Sequence, residues 1–362
     1  MKKILLKSLI IIVLLISIFI LPLFYPAGLA VYFRLFLLFL IFIESLKLFK
    51  IIFIDAKVSK IIANAATVLF SIFITFILFE AVFMFIPRSH SADFTLASRL
   101  WYAKYWKPIN SLGFRDNEPD YNYPVLLFVG DSFTAGHGLN SVDDRFSNIV
   151  GRELNKTGKK YSIINISKPN LDSIDEYNVM KDFIYSTRIK PEKIILQYCG
   201  NDIEGAAANN GWVFEGFHPP PDMNKFLILI GSGSYLLNYI YWLYPREYLG
   251  MPYITYLTKA YKNDSILSKH KDDLKLFVDY ARENSIQLIV IVFPFLADIE
   301  MSDSMYLNDI VNFFKANKTS VINVSQLAKD LPVNERIINK NDTHASKKLN
   351  RIVAQEILKK LE

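Results

Sequence analysis

A second cysteine is missing. Cys199 is alone in 362 residues, so no disulfide can form within the chain and the fold must rest on its apolar core. No histidine and cysteine cluster has metal-ligand spacing, so no metal or other cofactor is expected. Internal repeats and low-complexity runs are absent too, which sets repeat architectures aside. Most of the chain also lacks a net charge. Of 41 basic and 35 acidic residues, eight (Lys2, Lys3, Lys7, Arg34, Lys47, Lys50, Lys57, Lys60) and two (Glu44, Asp55) lie in the first 60, leaving 33 of each sign for the rest. The overall charge of +6 is therefore a property of the N-terminal segment, and nothing in it argues for a nucleic-acid partner.

What the chain has in excess is apolar sequence, 52% of its residues, and the excess is at the front. Segments 4–24, 28–49 and 62–86 each reach the ~20 residues that a helix needs to cross a bilayer. A cleavable signal peptide is the alternative for the first, but no small-residue cleavage site follows Leu21-Pro22-Leu23-Phe24-Tyr25-Pro26. Lys2, Lys3 and Lys7 put the N-terminus inside, and Lys47, Lys50, Lys57 and Lys60 keep the loop after the second segment on that side. The expected organisation is a membrane anchor of three transmembrane helices over 1–88, a polar and aromatic connector over 89–122, and an exported domain over 123–362. That describes a multi-pass protein of the cell (inner) membrane with its main domain extracytoplasmic. Arg34 and Glu80 each fall about six residues inside the outer end of a helix, and at ~1.5 Å per residue they share a depth. They are expected to pair, with snorkelling to the headgroups as the alternative.

Residues 124–140 read PVLLFVGDSFTAGHGLN. Val125 to Val129 make an apolar run too short for a helix and suited to a strand buried on both faces, which runs directly into Gly130-Asp131-Ser132. In an open parallel sheet ligands bind at the carboxyl ends of the strands, so a serine just past such an end stands where a substrate would be. The bland account is that Asp131 or Ser132 caps the following helix. Further apolar runs at 161–166, 193–198, 286–293 and 320–324 alternate with amphipathic stretches at 143–155, 172–185, 265–284 and 302–316, and 345–361 closes the chain as a helix. Five strands with helical crossovers predict an α/β fold with a parallel, doubly wound sheet. One segment disturbs the order. Residues 226–244, FLILIGSGSYLLNYIYWLY, carry no charge and would pass for a fourth membrane helix, although Gly231, Ser232, Gly233 and Ser234 interrupt them. A crossing there would put Ser132 and His344 on opposite sides of the membrane. The segment is therefore read as part of an apolar cap inserted over about 205–262, lying against the main domain or dipping into the bilayer surface.

Three blocks follow one another: Gly130-Asp131-Ser132, Gly200-Asn201-Asp202 after the run Ile194-Ile195-Leu196, and Asp342-Thr343-His344 before the final helix. Together they resemble the SGNH (GDSL-type) serine hydrolase family, over roughly 123–362, and Asn110-Ser111-Leu112-Gly113-Phe114-Arg115-Asp116 looks like the N-x-x-G-F-R-D stretch of its membrane-anchored members. The resemblance implies a flavodoxin-like three-layer α/β/α domain. It also implies Ser132 as nucleophile, His344 as base, and an oxyanion hole built from the backbone N–H of Ser132, the backbone N–H of Asn170 and the side-chain amide of Asn201. Three positions depart from the family pattern. The family acid of a D-x-x-H block would fall at Asn341, so the triad acid is assigned to Asp342 at the shorter spacing. Asn170 replaces a donor glycine, and Asn is among the few residues that tolerate left-handed dihedrals. Cys199 replaces a further glycine and is read as a packing residue.

The chemistry is consistent with these assignments. A serine hydroxyl needs a base to take its proton, imidazole suits that near neutral pH, and a neighbouring aspartate orients the ring and stabilises imidazolium. His137, on the nucleophile's own loop, is read as structural. Within the connector, a turn at Gly113 with Phe114 tucked under the sheet is the bland reading, and an Arg115 near the cleft is the functional one. The function expected is an extracytoplasmic serine esterase or O-acyltransferase acting on acyl, chiefly acetyl, esters of cell-envelope glycans or lipids. Its expected partners are an acylated glycan or lipid substrate, the bilayer and envelope-polysaccharide machinery. The alternative is a catalytically inactive carbohydrate-binding or assembly module of the same fold.

Overall fold

The computed structural model describes residues 2–24, 29–54, 60–216, 231–245 and 247–361. The chain divides into two compact units: Met1–Lys104 with Pro220–Pro245, and Tyr105–Pro219 with Arg246–Glu362.

The first unit begins with α1 (Lys2–Phe24), α2 (Leu29–Phe49) and α3 (Lys60–Phe83). These helices lie where the three apolar segments predict them, but the expectation of three membrane-crossing helices needs correction. Among the described residues α3 alone is long and apolar enough to cross a membrane, while Ile4–Ile18 makes a shorter apolar helix. In α2 the apolar run is broken by Arg34, Glu44 and Lys47. Large apolar side chains point outward on all three, among them Leu5, Leu9, Phe36, Phe39, Val68 and Leu69.

A buried pair of opposite charges lies in this unit. Arg34 and Glu80 are each 1% exposed and form an ion pair. The Glu80 carboxylate also accepts from Ser234 Oγ at 2.7 Å, from the Tyr235 N–H at 2.9 Å and from the Leu236 N–H at 3.0 Å. Those are the first donors of α9 (Tyr235–Tyr241), so an acid of α3 satisfies N–H groups that a helix start leaves orphaned. Arg34 in turn donates to the Gly233 carbonyl and lies 5.0 Å from the Tyr235 ring centroid. Leu96, at the start of α4 (Leu96–Tyr105), donates its N–H to Asn238 Oδ1 at 2.9 Å. The described part of the uncharged 226–244 stretch thus belongs to the same unit as α3, and residues 226–230 lie outside the described residues.

The second unit is built on a five-stranded, wholly parallel sheet of order β2-β1-β3-β4-β5, from β1 (Val125–Val129), β2 (Ser162–Asn165), β3 (Lys193–Tyr198), β4 (Gln287–Val292) and β5 (Ser320–Asn323). All five residues of β1 are buried, as an uninterrupted apolar run requires when both faces are covered. Val125, Leu127 and Val129 face one core with Met180, Phe277 and Ile310, and Leu126 and Phe128 face the other with Phe146, Val353 and Ile357. The first face carries α7 (Ser173–Thr187), α11 (Asp264–Glu283) and α12 (Asn308–Ala316); the second carries α6 (Phe146–Lys156) and α13 (Lys347–Leu361). Short α8 (Glu204–Asn209) follows β3, and α10 (Glu247–Tyr261) precedes α11. The order reverses between β1 and β3, and at such a switch point the loops leaving two neighbouring strands diverge and open a crevice.

One element was not expected. Residues 337–345 form an antiparallel hairpin of β6 (Ile337–Asn339) and β7 (Asp342–Ala345), so the Asp-Thr-His block lies on a strand. Side chains two apart on a strand share a face, and the D-x-H spacing accordingly puts the buried Asp342 and His344 on one side.

Candidate active site

The loop after β1 is held from several directions. Asp131 caps α5 (Ser132–Ala135), accepting from the Phe133 N–H at 2.8 Å, so the bland reading of this residue is true and leaves Ser132 as the first residue of the helix. Gln197 on the neighbouring β3 accepts from Asp131 N at 3.1 Å, Thr134 N at 3.3 Å and Thr134 Oγ1 at 2.9 Å. A Cβ at Gly130 would stand 2.6 Å from that same Gln197 Oε1, so only glycine lets the strand end approach it. Asn165, closing β2, donates to the Thr134 carbonyl at 2.8 Å.

The connector adds a clamp. Asn110 Oδ1 accepts from the N–H groups of Leu112 and Phe114 at 3.1 and 3.0 Å, turning the chain at Gly113, and Phe114 is buried. Arg115 then reaches the nucleophile loop, donating to the carbonyls of Ala135 at 3.2 Å, Gly136 at 2.5 Å and Leu139 at 2.7 Å. Arg145 fixes the connector itself, holding the Arg115 carbonyl at 2.6 Å and Asp116 Oδ1 at 2.7 Å. The turn and the functional reading of this segment are two parts of one device.

Ser132, His344 and Asp342 are brought together. Ser132 Oγ lies 2.8 Å from His344 Nε2, and His344 Nδ1 lies 2.6 Å from Asp342 Oδ1. The Asp342 carboxylate also accepts the His344 backbone N–H at 3.3 Å. Asp342 is fully buried, which by itself would raise its pKa. The His137 and His344 rings beside it outweigh that and hold the carboxyl well below its usual range. It is therefore a carboxylate, able to stabilise an imidazolium. Asn341 sits in the turn of the hairpin, where its N–H donates to Asn339 Oδ1 at 2.9 Å.

Two further residues named from the sequence lie in the loops after β3 and β2. Asn201 follows β3 and donates its amide to Asp131 Oδ2 at 3.1 Å, which ties it to the residue next to Ser132. Burial raises the pKa of Asp131. Asn170 adopts φ +63° with an exposed side chain, the left-handed conformation that a glycine at this place would take without cost. Cys199 is fully buried, and burial pushes its thiol well above the ordinary value, which leaves it inert.

Sequence reading missed Gln197 and the part played by His137. A polar residue within the otherwise apolar run of β3 was the available signal for the first. His137, Asp342 and His344 are the one histidine and acid group among the described residues whose ligand atoms all lie within 4.8 Å of one another. Both ring nitrogens of His344 are already engaged by Ser132 and Asp342, so a cation bound through that ring would break the contacts just described. A half-buried serine in line with a buried histidine and aspartate can do one thing well: move a proton off an alcohol that attacks an acyl carbon.

No family model matches the sequence, and no curated protein matches it. Solved structures similar to the chain include an acetyl xylan esterase, AlAXEase, at 16% identity and TM-score 0.42, covering 66% of this chain and 100% of that one. Another is TesA, at 12% identity and TM-score 0.42, covering 66% and 98%. A third is AlinE4, an esterase of the SGNH-hydrolase family, at 15% identity and TM-score 0.37, covering 67% and 99%.

Proposed function

We propose that the second unit is a serine esterase or O-acyltransferase, and that the first unit anchors it in a membrane. The observation that carries the reading is the unbroken line from Ser132 Oγ through His344 to Asp342, at 2.8 and 2.6 Å. In the proposed reaction His344 Nε2 takes the Ser132 proton as Oγ attacks the acyl carbon, and Asp342 stabilises the imidazolium that forms. The tetrahedral oxyanion is received by the backbone N–H of Ser132, the backbone N–H of Asn170 and the amide of Asn201. His344 then returns the proton to the leaving alcohol, and water or an acceptor hydroxyl repeats the sequence in reverse to release the acyl group from Ser132.

The substrate class proposed is acyl esters, chiefly acetyl, of envelope glycans or lipids, met on the outer face by a domain that the helical first unit tethers. Support for the tether comes from the apolar side chains exposed on α1, α2 and α3, which water would not favour. The lysines at 2, 3, 7, 47, 50, 57 and 60 support the inside placement of the opposite ends. Hydrolysis of a short-chain aryl ester and adduct formation with a serine-directed phosphonate test the reading. Ser132→Ala should abolish both, Asp342→Asn should lower kcat by roughly four orders of magnitude, and Asn341→Ala should be mild. Wild-type protein with no turnover and no adduct would transfer the assignment to a binding or assembly module.

A further inference from the structure

His137 stands between Gly136 and Gly138 on the loop that carries the nucleophile. Its backbone N–H donates to the Ser132 carbonyl at 2.9 Å. Its side chain lies against the acid, with Nδ1 3.3 Å from Asp342 Oδ2, a polar contact without the alignment of a hydrogen bond. That is the oxygen His344 does not take, since His344 Nδ1 is on Oδ1. The two imidazole rings lie 4.4 Å apart between centroids, with the Trp106 ring 6.1 Å from His137 and the Arg115 guanidinium 4.9 Å from the Trp106 centroid.

The approach depends on the next residue. Gly138 has φ +81°, and a Cβ there would stand 2.5 Å from Asp342 Oδ2 and 2.6 Å from Ile338 Cγ1, so any other residue would push the loop off the carboxylate. The place is shut off from water: His137 is 2% exposed and Asp342 is 0% exposed. A carboxylate in such a place keeps its charge only if both oxygens meet donors or positive charge. The charged and titratable groups around it are Asp342 and His344 from β7 and Arg115 from the connector, the last engaged with loop carbonyls.

Building on the acyl-transfer reading, we infer that His137 is a positioning residue of that site. It occupies the second oxygen of Asp342 so that the first is presented to His344, and through the Ser132 carbonyl it ties the acid to the backbone of the nucleophile. One carboxylate thus serves two imidazoles with different tasks, and His137 acts on the reaction only through Asp342.

The test is a set of variants of the full chain in detergent. His137→Phe keeps a ring and removes the nitrogen beside Asp342 Oδ2, and His137→Asn retains a polar nitrogen near the place of Nδ1. His137→Phe should lower kcat on a short-chain aryl ester by roughly 10–100-fold, the scale on which loss of a supporting contact behind a metal ligand is felt, with KM unchanged. His137→Asn should return kcat to within a few-fold of wild type. Added to Asp342→Asn, His137→Phe should cost nothing further, because the two changes break one linkage. A spectroscopic arm does not need turnover. In Ser132→Ala protein the downfield proton of the 2.6 Å His344–Asp342 bond should move in His137→Phe and stay in His137→Asn. Equal loss in the Phe and Asn variants, or a full additional loss on top of Asp342→Asn, would reduce His137 to loop packing and overturn the inference. An unmoved proton resonance would overturn it in the same way. Absence of wild-type turnover and phosphonate adduct would instead sink the acyl-transfer reading, and the proton arm separates the two failures.

Discussion

Gly138→Ala is the change whose cost can be worked most directly from the geometry. Two terms enter. The first is the backbone: φ is +81°, and an L-residue held in the left-handed region costs roughly 1–2 kcal/mol. The second is the collision of the new Cβ with Asp342 Oδ2 at 2.5 Å and Ile338 Cγ1 at 2.6 Å, which as an overpacking effect costs about 1–3 kcal/mol. Gly158 separates them, because it has φ +80° and nothing within 4 Å of its added Cβ, so Gly158→Ala carries only the backbone term. The difference between the two variants is then the collision alone, and for a unit of this size it corresponds to a melting-temperature gap of about 2–12 °C. Thermal unfolding of the detergent-solubilised chain reads that gap. The collision falls on the triad acid, so Gly138→Ala should also lose kcat on the aryl ester with KM kept, whereas Gly158→Ala should keep both. Equal melting temperatures together with wild-type turnover in Gly138→Ala would refute the packing of this loop on Asp342.

Two further outcomes are expected. His270 is buried beside Tyr198, with Nε2 2.8 Å from the hydroxyl, and burial, aided by Lys269 and Lys271, lowers its pKa to about 3. It is neutral when folded and binds a proton near pH 6.5 when unfolded, so its contribution is intact above pH 6.5 and is lost, at ~1.4 kcal/mol per pH unit, as pH falls toward 3. His270→Gln should flatten the fall of melting temperature between pH 6.5 and 4, and an unchanged slope would discount this residue as a source of acid sensitivity. For topology, an impermeant label added outside intact cells should reach cysteines introduced at Ser91 or Lys104 and in the sheet unit, and should miss one at Lys60; labelling at Lys60 from outside would overturn the inside placement of the start of α3.

Much of the sheet could be read from the chain because its determinants are local. The largely apolar runs of β1, β3 and β4 are buried on both faces and leave no alternation to confuse, and observed β3 coincides with the expected 193–198. Ser132 was legible as a short block at a strand end, and Asp342 and His344 as a block ahead of the final helix. What stayed hidden depends on contacts between distant residues. The hairpin of Ile337–Asn339 and Asp342–Ala345 is too short and polar to announce itself, yet it places the acid and the base on one face. His137 is uninformative beside its neighbours and gains meaning only from Asp342, which Gly138 allows it to meet. In the first unit the pairing of Arg34 with Glu80 followed from matched depth in two helices. The remaining bonds of Glu80, to Ser234, Tyr235 and Leu236, had no counterpart in local pattern.

The grip of Glu80 on the start of α9 bears on how this protein can be cut. The chain leaves the second unit after α8, contributes residues up to Pro245 to the first, and returns with α10 before β4. Trimming the N-terminus back to Tyr105 would therefore remove α3 and strand α9, whose leading N–H groups and apolar side chains would face solvent without the acid and helix that receive them. A separable, water-soluble form of the sheet unit calls for two excisions, one ahead of β1 and one inside the β3–β4 crossover, with a short linker in place of the second. The first unit is thus assembled from two stretches of sequence, and the shorter of them is inserted between β3 and β4 of the second.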